Sequence, residues 1–299
     1  MRALVFVALL TLTTVAQARP FRAMITRTAE TTSPLNFELG LRYQGFFAGR
    51  GSGSVGALPY HQISPGLRIG LVEGLELNAY VEFLLLDLPS SPNFRAFLGD
   101  IPIGLQWTFV DTRMVALGLW LRGTVPSGPS GFDIIPPALS DGTLDAEASF
   151  IAEVRFSRDL RLMANLGYLY HGVRDRGAAA DFDVPDALRY DVALAYNLSD
   201  DLLLGVELNG RFYLDRVITP VWNDNANQLE VLPHLRLETI PNLVLEAALG
   251  VALVPDLQEI YLVRGLLGFT YEFDLGGSDR RSSDEDRPRS RRRGRGRGR

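Results

Sequence analysis

Leu35-Asn36-Phe37-Glu38-Leu39-Gly40-Leu41-Arg42-Tyr43-Gln44-Gly45-Phe46 is the stretch that decides the fold. Leu35, Phe37, Leu39, Leu41 and Tyr43 fall on one parity, and Asn36, Glu38, Gly40, Arg42 and Gln44 on the other. A period of two is that of a β-strand with one apolar and one polar face. The alternation returns eleven more times, near 61–71, 75–88, 99–109, 114–124, 146–156, 160–171, 187–198, 202–214, 228–238, 243–253 and 261–273, which predicts twelve strands.

The connections alternate between tight and long. Val72-Glu73-Gly74, residues 110–113, Ser157-Arg158-Asp159, Ser199-Asp200-Asp201 and Pro241-Asn242 are short and mostly made of turn-forming residues. Residues 48–60, 89–98, 125–145, 172–186 and 215–227 are long, with a shorter sixth at 255–260. A soluble sandwich has no reason to sort its loops by end. Short turns at one end, long loops at the other and an even number of strands of about ten residues describe an outer-membrane barrel. The expected fold is therefore all-β, a closed antiparallel transmembrane β-barrel of about 12 strands, because in lipid every backbone N–H and C=O needs a partner. Two aromatic girdles accompany it: Trp107, Phe109, Phe156, Tyr196, Phe269, Tyr271 and Phe273 toward the short turns, and Phe46, Phe83, Tyr168, Tyr170, Tyr190, Phe212 and Tyr261 toward the long loops. Tyr190 and others whose register the sequence does not fix are read as exceptions to the apolar parity.

The flanks read differently. Met1-Arg2, an apolar run from Ala3 to Leu12 and Ala16-Gln17-Ala18 form a secretory signal peptide over residues 1–18, with cleavage expected after Ala18. Residues 19–34 are expected to be a short periplasmic segment and 35–273 the barrel. Residues 274–299 hold ten Arg and five acids and end in Arg291-Arg-Arg-Gly-Arg-Gly-Arg-Gly-Arg299, a stretch with no apolar face that is expected to be a disordered periplasmic tail. All 30 basic residues of the 299 are Arg, and the net charge of −5 combines an acidic body with this basic tail. Export argues against nucleic acid as the tail's partner and leaves an anionic component of the envelope. Phe269, Tyr271 and Phe273 alternate like a last-strand signal for the barrel assembly machinery, here internal to the chain.

The polar parity places Glu38, Arg42, Arg68, Glu76, Glu82, Asp100, Arg122, Glu147, Glu153, Arg155, Arg189, Asp191, Glu207, Arg211, Glu230, His234, Arg236, Glu246, Arg264 and Glu272 in the lumen. They brace the wall as ion pairs or line a polar pathway, since a charge on the lipid face costs about 2–4 kcal/mol at mid-bilayer. Inward glycines such as Gly40, Gly66, Gly70, Gly104, Gly205 and Gly250 leave room for solute or let the wall curve. The loop at 125–145 is the candidate constriction, with Phe132, Asp133, Ile134 and Ile135 at its centre.

Cys is absent and only three His occur, which excludes a disulfide framework and thiolate metal sites and leaves little for His-based chemistry. A phospholipase needs Ser and His together on the lipid-facing wall, whereas His234 lies inside, His171 at a rim and His61 ahead of strand two. No catalytic set, cofactor site or metal site is expected. The function read from these residues is a passive pore for small solutes among outer-membrane lipids, or alternatively a structural or envelope-anchoring barrel with a closed lumen.

Gly99-Asp100-Ile101-Pro102-Ile103-Gly104-Leu105-Gln106-Trp107 resembles a strand of the outer-membrane transporter family associated with the MetA pathway of phenol degradation. The stretch from Pro65 to Leu77, with Arg68 and Gly70, a tight turn and the Glu76-Leu77 pair, is similar to the strand-turn-strand preceding it there. The resemblance implies uptake of small, hydrophobic or aromatic compounds. It supplies no catalytic residues, and Gln106 departs from a position that is often basic in that family.

Overall fold

Alternating faces and tight turns fold into antiparallel hairpins that close on themselves. The computed structural model describes residues 25–47, 60–86, 95–128, 144–172, 185–215, 217–219, 222–224, 227–240, 242–254 and 262–274. The signal peptide, the tail beyond Asp274, Tyr261 and the loop residues Phe132, Asp133, Ile134 and Ile135 lie outside them. The strands are β1 (Asn36–Phe47), β2 (Tyr60–Val72), β3 (Leu75–Tyr80), β4 (Phe83–Leu86), β5 (Arg95–Leu98), β6 (Ile101–Asp111), β7 (Val115–Val125) and β8 (Asp145–Arg155). They continue with β9 (Leu160–Tyr170), β10 (Ala187–Asn197), β11 (Leu202–Tyr213), β12 (Val217–Thr219), β13 (Trp222–Asp224), β14 (Gln228–Ile240), β15 (Leu243–Ala252) and β16 (Val263–Asp274).

β12 and β13 pair only with each other, and the remaining 14 strands form one antiparallel sheet. β3 with β4, and β5 with β6, are two halves of single staves, so the wall is a barrel of twelve staves. It is closed by β1, which pairs with both β2 and β16. The two interrupted staves were expected to be continuous over 75–88 and to begin at 99. They break side by side, at Val81-Glu82 and Gly99-Asp100, between Pro65 of β2 and Pro102 of β6. Proline has no N–H to give to a ladder. The backbone is instead satisfied by Val81 N–H donating to Pro65 O at 2.9 Å and Gly99 N–H donating to Glu82 O at 2.6 Å. At the short-turn end Gly74 (φ 75°) and Asn242 (φ 70°) take the left-handed backbone that their hairpins require.

Register fixes which side chains share a face. Glu38 stands opposite Arg68, Arg68 opposite Asn78, Asn78 opposite Gly104, Gly104 opposite Arg122 and Arg122 opposite Glu147, one inward row across six staves. The other parity faces out: Leu39, Trp107, Leu121, Phe150, Leu166, Tyr168, Leu194, Tyr196, Leu245 and Phe269 are all exposed. An exposed apolar belt of this kind suits hydrocarbon.

Two girdle residues are corrected. Phe46 points inward, 8% exposed, with the Arg264 guanidinium 5.7 Å from its ring centroid, while Phe47 is the outward residue. The consecutive aromatics Phe46-Phe47 satisfy either parity, and the ladder begun at Asn36 selects the second for the outside. Tyr190 does share the outward parity, lying opposite Gly210, where a Cβ would stand 2.2 Å from its ring. His61 is the second residue of β2, and the Tyr43 hydroxyl meets its Nδ1 at 2.7 Å.

The largest correction concerns the segment ahead of β1. Residues 25–34, expected in the periplasm, run inside the barrel, where Thr26, Thr28, Ala29 and Thr32 are buried. The wall admits them at Gly70: a Cβ there would lie 2.1 Å from Ser33 O and 2.4 Å from Thr32 O. Leu35 (φ 64°) then turns the chain into β1, its N–H donating to Gly70 O at 2.9 Å.

Candidate functional site

An extended segment inside a barrel exposes backbone donors and acceptors that must be met. Here wall side chains meet them. Glu207 of β11, fully buried, accepts from the N–H of Ile25 at 3.0 Å and of Thr26 at 2.6 Å. Glu153 of β8 accepts from Ala29 N–H at 3.2 Å. Glu76 of β3 accepts from Thr32 N–H at 2.8 Å and from its hydroxyl at 2.7 Å, and Glu38 stands 3.2 Å from that hydroxyl. Gln106 Nε2 donates to Thr28 O at 2.8 Å, and the Thr108 hydroxyl donates to Ala29 O. With its amide oriented to satisfy both groups, Asn165 spans the N–H and C=O of Arg27 at 3.2 and 3.0 Å.

The segment's apolar residues have their own seats. Ala29 packs with Ala116, Trp120 and Ile151, and Ile25 packs against Leu232 and Leu266. The Arg27 guanidinium lies 3.2 Å from the Trp120 ring centroid, a cation–π contact. The indole also lies over Gly104, where a Cβ would stand 1.8 Å from it, and the His234 ring lies over Gly205 in the same way at 2.3 Å. These two inward glycines therefore accommodate large neighbouring rings against the wall.

Register and burial place the lumen-side residues of the sequence analysis on the inner face, and contacts sort them into groups. Glu207, Glu153, Glu76 and Glu38 hold the segment. Ion pairs take most of the others: across strands Arg68 to Glu38 at 3.4 Å, Arg122 to Glu147 at 3.2 Å, Arg189 to Glu147 at 3.4 Å, Arg236 to Glu246 at 4.0 Å and Arg264 to Glu230, and within β10 Arg189 to Asp191 at 2.8 Å. His234 Nδ1 stands 3.2 Å from Glu207. Arg155 joins Glu153 at 2.8 Å and reaches the rim at Asp111, 2.7 Å away. Glu30 of the segment pairs with Arg161, and with Arg155 at 3.8 Å. Three acids do other work. Asp100 accepts from the N–H groups of Ser127 and Gly128 at 3.0 and 3.1 Å, Glu272 accepts from Asn36 Nδ2 at 3.0 Å, and Glu82 occupies the break between β3 and β4. Arg211 stands opposite Arg189, and Arg42 opposite Ser64.

Beside the segment a cavity of about 210 Å³ remains, lined by Arg27, Arg42, Arg68, Arg122, Arg189 and Arg236 and by Glu30, Glu38, Glu76, Glu82 and Glu246. Sequence reading missed the inward apolar residues that fill other parts of the lumen: Trp120, Ile151, Met163, Leu232 and Leu266, all at most 1% exposed. Their signal was available as apolar residues on the parity of Arg122, Glu153, Arg161, Glu230 and Arg264.

No known family profile matches the chain, and no curated protein matches it. Solved structures do. The COG4313 outer membrane channel from Pseudomonas putida F1 aligns with a TM-score of 0.60 at 13% identity, over 81% of this chain and 97% of that one. The NanC porin gives 0.53 at 8% identity, over 79% and 98%, and the KdgM porin 0.51 at 10%, over 79% and 99%. At these identities the likeness is one of fold, and the fold is that of outer-membrane channels and porins.

Proposed function

We propose that this chain is a passive outer-membrane channel for small solutes, hydrophobic or aromatic compounds among them, with residues 25–34 narrowing its bore. The observation that carries this reading is the charged cavity left open beside the segment within a closed barrel. The porin and channel folds support it, as does the resemblance of Pro65–Leu77 and Gly99–Trp107 to transporters linked to phenol degradation. The loop around Phe132, Asp133, Ile134 and Ile135 is proposed as an outer constriction, and both termini are placed in the periplasm, where the Arg-rich tail meets an anionic envelope partner.

Purified protein in proteoliposomes and planar bilayers tests the reading. Solute-dependent swelling and discrete conductance steps are expected, with larger steps when 127–140 is deleted. A folded barrel that passes neither ions nor solutes would establish the second reading, a structural barrel. One observation favours that rival: the segment and the inward Trp120, Ile151, Met163, Leu232 and Leu266 occupy much of the lumen.

A further inference from the structure

Four of the lumenal arginines lie close together. Arg27, Arg122 and Arg189 line the cavity together and lie within electrostatic range of one another and of Glu147. Arg211 faces Arg189 directly across the β10–β11 ladder and interacts electrostatically with Arg122 and Glu82. Like charges placed directly opposite destabilise a sheet, so this arrangement calls for an anion. Within the cluster the carboxylates are Glu147, shared between Arg122 and Arg189, Asp191 on Arg189, and Glu82. Four guanidinium groups share these three carboxylates, with Glu207 also within electrostatic range of Arg189. A donor is also unused: Arg122 Nε is buried and has no hydrogen-bond partner. Glu207, Glu153 and Glu76 are already engaged by the backbone N–H groups of residues 25–32.

We infer that Arg27, Arg122, Arg189 and Arg211 form a binding site for a small organic carboxylate on the solute path. A guanidinium fork matches the two oxygens of a carboxylate, and the cavity of about 210 Å³ admits a small molecule. This deepens the channel reading and rests on it for transport, while binding itself is measurable without any flux.

The test has two arms on the full mature chain in detergent and in bilayers. Titration with benzoate, with benzyl alcohol as its neutral counterpart, should show saturable binding of benzoate alone, and a bilayer under a KCl gradient should report anion selectivity. Arg211→Gln should weaken benzoate binding by about tenfold, the lower end of what a field focused by like charges contributes, and shift the reversal potential toward cation selectivity. The double variant Arg189→Gln/Arg211→Gln should abolish both; if it does not fold, the single variant still decides. Benzoate binding that is absent, equalled by benzyl alcohol or unchanged in Arg211→Gln overturns the site, as does inorganic phosphate binding more tightly than benzoate. If benzoate binds as expected but no current or swelling is seen, the channel reading fails and the site stands. A conducting channel indifferent to Arg211→Gln leaves the reverse.

Discussion

At the scale of single residues, Glu207 and Gly70 carry the most. Glu207 has no exposed surface, and its charge is matched by two backbone N–H groups and the edge of His234. Hydrogen bonds to a charged group are worth about 1.5–3 kcal/mol, so Glu207→Gln should destabilise the barrel by about 2 kcal/mol, read as a lower urea midpoint with native migration retained. Gly70 acts by absence. A Cβ would strike main-chain oxygens of Ser33 and Thr32, which cannot rotate away as a side chain would. Gly70→Val should therefore unseat residues 25–34, and a protease added to the folded protein should cleave there where it spares the parent. The alternation of Glu38 with Leu39, or Arg122 with Leu121, was legible in the sequence because a strand's period depends only on the backbone. The role of Gly70 was not, because the atoms it makes way for belong to a segment with no period of its own.

Among elements, the segment at 25–34 differs most from its sequence reading. Ile25-Thr26-Arg27-Thr28-Ala29-Glu30 is short, polar and unpatterned, the composition of a solvated leader. It is ordered by partners drawn from across the wall, Glu207 on β11, Glu153 on β8 and Glu76 on β3, none of which is near it in sequence. A contact of that range leaves no local mark. The inward Trp120 and Ile151, by contrast, were a readable anomaly: buried apolar residues on a polar face need something apolar to meet, and Ala29 is what they meet. Deleting residues 25–33 should leave the staves paired and raise single-channel conductance several-fold, measured beside the parent protein in one lipid; an unchanged conductance would show that the segment does not limit the bore.

For the whole molecule, twelve closed staves and an exposed apolar belt suit a membrane, and no helix among the described residues is long and apolar enough to cross one. Strand number, loop order and closure were all legible, because each follows from counting periods and connections. The two broken staves at Val81 and Gly99 were not, since the breaks lie where Pro65 and Pro102 fall at one level on the two staves flanking β3 and β4, a coincidence that depends on register. Truncation after Phe273 removes a stretch expected to bury nothing. The heat-modifiable shift and urea midpoint should be unchanged, and insertion by the assembly machinery should be as fast or faster, with Phe269, Tyr271 and Phe273 now at the chain's end.

The threaded segment also bears on the order of events during assembly. The seam that shuts the barrel joins its first and last strands, with Phe37 beside Phe273, so no ring exists until the last strand is in place. Contacts this distant in sequence are slow to form. Residues 25–34 come ahead of the first strand and touch strands all around the circumference, which would let them serve as a mandrel on which staves gather before the seam is sewn. Refolding of the 25–33 deletion into detergent micelles should then be slower than that of the parent even where the finished barrel is equally stable. A plug added after closure would leave that rate unchanged.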